Sequence, residues 1–85
     1  MQYEITFARS ARKELQALHR TIAERVFDKI ELLQLNPRPA GCKRLSGRST
    51  LWRIRVGDYR VVYGIDDANR IIDVSVVRNR SEAYR

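Results

Sequence analysis

The spacing of apolar residues changes period twice along this chain, and that limits the fold more than any other feature. Tyr3, Ile5 and Phe7 alternate with Gln2, Glu4 and Thr6, the period of a short strand. From residue 8 the period lengthens. Ala8, Ala11, Leu15, Leu18, Ile22, Val26, Ile30 and Leu33 recur every three or four positions, which is one helical face. Arg12, Lys13, Arg20, Glu24, Arg25 and Glu31 lie opposite. The stripe is long for one helix in 85 residues, and Thr21-Ile22-Ala23-Glu24 has the capping-box pattern. Two antiparallel helices are expected, about 9–18 and 21–35, joined near His19-Arg20. Asn36-Pro37-Arg38-Pro39-Ala40-Gly41 ends the second.

Alternation returns at residue 51. Strands are expected at 51–56, 59–66 and 70–77, joined by Gly57-Asp58 and by Asp67-Ala68-Asn69. Cys42 to Leu45 reads as a short extended piece and Gly47-Arg48-Ser49-Thr50 as a loop. The order is β-α-α-β-β-β: an N-terminal strand, a two-helix hairpin and a three-stranded antiparallel meander. This is an α+β chain with one domain over 1–85. The helical stripe must cover one sheet face, because it has no other partner.

The covered face follows from parity. Trp52, Ile54, Val56, Tyr59, Val61, Tyr63 and Ile65 share the core side. Leu51, Arg53, Arg55, Arg60, Val62 and Gly64 share the open side. On the third strand Ile72, Val74 and Val76 read as the core set. Strict alternation would bury Arg78 with them, at the cost of an unpaired charge. A bulge, or departure from the strand, is therefore expected near Val77. The Gly57-Asp58 turn sets Arg55 opposite Arg60, with Cβ atoms about 5 Å apart. Like charges so placed are destabilising, unless an anion sits between them.

The charge balance calls for such an anion. Seventeen basic residues, fourteen of them Arg, face ten acidic ones, for a net charge of +7 and a pI near 10.3. Arg grips phosphate with a planar fork. A polyanion partner follows, nucleic acid ahead of a membrane surface. The plainer alternative is a solvated basic surface. Cys42 is the single cysteine, so no internal disulfide can form and a reducing compartment fits. The N-terminus shows no apolar secretory core, and no run approaches the ~18 apolar residues of a membrane span. A cytoplasmic location is expected. No His, Cys, Asp or Glu spacing suggests a metal, Asp66-Asp67 belongs to a turn, and no cofactor is called for.

The whole chain resembles the RelE branch of the RelE/ParE toxin superfamily. The resemblance rests on the element order, on the phrase KRLSGRSTLWRIRVGDYRVVYGID and on the ending RNRSEAY. The middle phrase is shared across the superfamily. The ending separates the ribonuclease branch from the gyrase-poisoning ParE branch. The resemblance implies the toxin of a type II toxin–antitoxin system, a microbial RNase-like fold and a metal-independent endoribonuclease that cuts mRNA in the ribosomal A site. The ribose 2′-OH attacks the adjacent phosphate, leaving a 2′,3′-cyclic phosphate and a 5′-OH. A cognate antitoxin is the implied protein partner, with ribosomal RNA contacts during cleavage and operator DNA bound only through the toxin–antitoxin complex.

Residue by residue, the resemblance places catalytic roles on Arg55, Arg60, Arg78 and Tyr84. Arg53 and Arg80 match further basic positions that would bind RNA. Lys43 and Arg44 either contact ribosomal RNA or sit in solvent. The best-known members carry lysines where this chain has Arg53 and Arg55. A guanidinium is a poor general base. Removal of the 2′-OH proton would then fall to Tyr84, to water or to a ribosomal group. Two other readings stand beside this one: a gyrase inhibitor of the ParE kind and a non-catalytic RNA-binding module.

Overall fold

The computed structural model describes residues 2–46 and 50–79. Within them the elements are β1 (Glu4–Phe7), α1 (Arg9–Gln16), α2 (Arg20–Leu32), β2 (Lys43–Arg44), β3 (Leu51–Val56), β4 (Tyr59–Asp66) and β5 (Ile71–Asn79). Gly47, Arg48 and Ser49 of the expected loop lie outside the described residues. No helix among the described residues is long and apolar enough to cross a membrane.

The expected α+β arrangement is present, with a larger sheet. Five strands run in the order β1-β5-β4-β3-β2. The meander β3-β4-β5 is antiparallel throughout, with β1 parallel beside β5 and the two-residue β2 on the far edge. Parallel pairing of β1 with β5 is possible because the helices carry the chain back across the sheet. The helices cover one face, α1 against β5 and α2 against β3. Ala11, Val26 and Ile30 from the helices and Leu33 just after α2 meet Ile54, Val56, Val61, Tyr63, Ile72, Val74 and Val77 from the sheet.

Local expectations are corrected in the helices and in β5. The second helix does not begin at a Thr21 capping box. His19 is its N-cap, and its Nδ1 accepts from the Thr21 backbone N–H at 3.3 Å. Thr21 is thus already inside the helix, and Glu24 pairs with Arg20 one turn back. Both helices also stop earlier than the apolar stripe. Leu18 and Leu33 continue the stripe beyond α1 and α2, because turn residues can still point into the core.

The second correction concerns β5. Val62 pairs with Val76, but Tyr63 pairs with Val74, so Ser75 is an extra residue. This bulge lies two positions before the expected one. Its effect is to move Val76 to the open face and Val77 into the core, where Val77 is 2% exposed. The Ser75 hydroxyl fills the irregularity by donating to the Val62 carbonyl at 3.2 Å.

The proline loop after α2 is clamped to the sheet end where β4 finishes. Tyr63, wholly buried, donates its hydroxyl to the Pro37 carbonyl at 2.8 Å, and burial pushes its pKa up. Arg38 stacks over Trp52 at 5.2 Å and chelates Asp67, which also accepts the Tyr3 hydroxyl at 2.6 Å. Trp52 and Ile65 are half-buried parts of the core face.

Two outcomes follow from this clamp. Tyr63→Phe leaves the Pro37 carbonyl unsatisfied and should cost about 1–2 kcal/mol in urea denaturation; an unchanged midpoint would contradict the hydrogen bond. Arg38 and then Tyr3 hold the Asp67 carboxyl below the usual carboxylate range. A lowered folded pKa contributes stability that is complete above the unfolded value near ~4 and disappears as pH falls through the folded value. Acidification from about pH 5 should thus cost the native chain more stability than Asp67→Asn, and parallel pH profiles would rule the cluster out.

Candidate nucleic-acid interface

The face turned away from the helices is organised in rows, because residues paired across neighbouring strands point the same way. Arg55 pairs with Arg60 across the β3-β4 turn, as the Gly57-Asp58 spacing predicts. Gly57 takes φ +59°, which the turn requires. Arg60 pairs in turn with Arg78 across β4-β5. Three arginines on three adjacent strands therefore form one row, spanning about 10 Å at the usual ~4.8 Å strand spacing. Arg78 joins it only because of the Ser75 bulge. Arg60 is half-buried, with its Nε out of contact with solvent, while Arg55 and Arg78 are exposed.

The next row runs Lys43, Arg53, Val62 and Val76. Arg53 is only 9% exposed. The third row is Leu51, Gly64, Asp73 and Thr6, with the Thr6 hydroxyl donating to Asp73 at 2.9 Å. The open face is thus basic at the end where β4 begins and carries a carboxylate near the other end. Arg44 pairs with Trp52, so it shares the helix-side face at the sheet edge and does not join these rows. Arg80 and Tyr84 lie outside the described residues.

One residue of this site was not singled out from the sequence. Glu14 of α1 accepts the Val77 backbone N–H at 3.0 Å on one carboxylate oxygen and Arg78 Nε on the other. In the sequence Glu14 is one polar residue among several on α1. Its only signal is that it follows Ser10 by four positions, and that face is assigned only once α1 is laid along β5. Two other polar side chains sit elsewhere: His19 caps α2, and Cys42 is a half-buried free thiol.

Adjacent guanidinium groups repel each other, and like charges directly opposite across strands are destabilising. They also offer forked donors matched to phosphate oxygens. The row can hold a phosphodiester and stabilise negative charge that grows on it. A guanidinium does not accept a proton at neutral pH, so the row itself supplies no general base. Among the described residues, no three His, Cys, Asp or Glu side chains come together to hold a metal ion.

A family model described as the ParE toxin of the type II toxin–antitoxin system parDE matches residues 5–84. The toxin RelE of Mycobacterium tuberculosis is 33% identical over 85 residues, covering 98% of this chain and 87% of that protein. RelE in the RelE–RelB complex of Pyrococcus horikoshii superposes with a TM-score of 0.82 at 27% identity, covering 94% of this chain and 97% of the other. Isolated RelE of E. coli gives 0.80 at 29% identity, covering 96% and 90%.

If the row is a phosphate site, millimolar pyrophosphate should raise the melting temperature. A ligand at ten times its Kd adds about 1.4 kcal/mol, or several degrees in a domain of this size. Arg60→Ala should lose most of that shift. Equal shifts in the two proteins would place anion binding elsewhere.

Proposed function

The chain belongs to the RelE branch of the RelE/ParE superfamily of type II toxin–antitoxin toxins, and from that premise we propose that it is an endoribonuclease cutting mRNA in the ribosomal A site. The observation that carries this reading is the row Arg55, Arg60 and Arg78 on the open face. A single-stranded backbone laid across it would bring one phosphate against three guanidinium groups.

The chemistry is transesterification and uses no metal. The 2′-OH attacks its own 3′-phosphate, the bond to the 5′-oxygen of the next nucleotide breaks, and a 2′,3′-cyclic phosphate remains. Arg60, central and half-buried, holds the phosphate with Arg55 and stabilises the charge that builds on the phosphorane. Arg78, at the end of the row, assists the departing 5′-oxygen. Tyr84 stacks on or orients the base, and takes part in removing the 2′-OH proton unless water or a ribosomal group does so. Arg53 and Lys43, in the neighbouring row, and Arg80 guide the RNA backbone. Arg44, on the other face of the sheet edge, would contact ribosomal RNA or stay in solvent.

The partner in the cell is a cognate antitoxin, in keeping with relatives solved as RelE–RelB complexes. It would mask the basic face, and operator DNA would be bound only through the complex. The family description as a ParE toxin also supports a second reading, inhibition of DNA gyrase. A non-catalytic RNA-binding module is the third.

The purified protein should cut mRNA on programmed ribosomes within the A-site codon and leave cyclic phosphate ends. Arg60→Ala should slow cleavage by about a hundredfold to a thousandfold, the size of effect seen when one transition-state donor is removed. Tyr84→Phe should slow it as well. Wild-type rates in both variants would overturn the assignment of residues. No cleavage, together with inhibited supercoiling by purified gyrase, would favour the second reading. RNA binding without cleavage would favour the third.

A further inference from the structure

We propose that Glu14 is a positioning residue for Arg78, a role that rests on the nuclease reading above. β1 stops at Phe7, opposite Val74, so among the described residues the rest of β5 has no strand on that side. α1 takes over that edge. The Ala8 backbone N–H donates to the Val74 carbonyl at 2.8 Å, the Ser10 hydroxyl to the Ser75 carbonyl at 3.4 Å, and Val77 N–H to Glu14 at 3.0 Å. Ser10 and Glu14 stand four residues apart and share a helix face. α1 thus follows the β5 backbone through the bulge and away from it.

Glu14 goes one atom further than edge capping needs. With one oxygen on the Val77 backbone, its other oxygen takes Arg78 Nε. A single carboxylate is thereby fixed to one residue's main chain and the next residue's side chain. That hold sets the guanidinium plane relative to the strand, and phosphate would be met by the terminal Nη groups. The carboxylate is well shielded, with 22% of its side chain exposed, while the Arg78 side chain is 48% exposed. An exposed arginine pair adds little to stability. Its consequence is orientation: a long, rotamer-rich side chain is held in one pose before substrate arrives. Glu14 also places a negative charge at one end of the arginine row, offsetting part of its repulsion. Both residues line an open cavity of about 470 Å³, together with Leu18, Tyr59 and Asn79, so the pair faces space that a ligand can enter.

The test is a double-mutant cycle in single-turnover mRNA cleavage on programmed ribosomes, with wild type, Glu14→Gln, Arg78→Ala and the double variant. Gln keeps an oxygen for the Val77 N–H and removes the charge. Glu14→Gln should lower the maximal rate about tenfold or more, with the half-saturating concentration changed less than threefold. In the Arg78→Ala background it should cause no further loss. The inference is overturned if Glu14→Gln cleaves at the wild-type rate. It is equally overturned if Glu14→Gln costs the same with and without Arg78, which is what a general loosening of the fold would give. A wild-type chain that cleaves nothing would instead sink the nuclease reading, and this inference with it.

Discussion

At Ser75, β5 carries one more residue than β4 does, and every side chain beyond that point changes face. Val77 turns into the core and Arg78 turns out beside Arg60. Regular alternation would bury Val76 in place of Val77 and carry Arg78 inward after it, and a buried unpaired charge costs several kcal/mol. The backbone irregularity is supported from both sides, by the Ser75 hydroxyl on β4 and by Ser10 and Glu14 from α1. Arg78 joins the arginine row because these contacts support the bulge and β5 continues past it.

The two ends of the sheet then divide the work. Where β4 finishes, Asp67, Arg38 and Tyr3 form a charge-matched cluster, and Tyr63 ties the proline loop to the core. Six residues earlier on β4, about 20 Å away at 3.4 Å per residue, Arg60 sits between two other arginines. One end gains stability from opposite charges, and the other gives some up to like charges. At the Arg78 end the Glu14 carboxylate offsets part of that repulsion.

Much of this was legible before any coordinates. The helical stripe, the proline stop and the Gly57-Asp58 turn place the elements, and turn length alone sets Arg55 against Arg60. Parity also shows that Arg78 could not follow Val76 into the core. It does not show where the chain would slip, because Ser75 is one small residue in an apolar run and the bulge depends on what β4 and α1 offer it. The parallel place of β1 is decided by the return path of two helices, which no local pattern encodes. His19 as a cap was hidden because Thr21 offered a better local pattern. Glu14 was hidden because its partners lie more than sixty residues away in sequence. Arg80 and Tyr84 rest on the family resemblance alone.

In the proposed function, the row formed by Arg55, Arg60 and Arg78 receives the scissile phosphate. The most direct measurement is a structure of the chain on a ribosome whose A-site codon carries 2′-O-methyl riboses, which block attack and keep the RNA whole. The expected result is a codon phosphate within about 3 Å of Arg60 donors, with Arg55 and Arg78 on its other side. A codon whose phosphates all lie against other parts of the chain, with the arginine row turned away from the RNA, would contradict it.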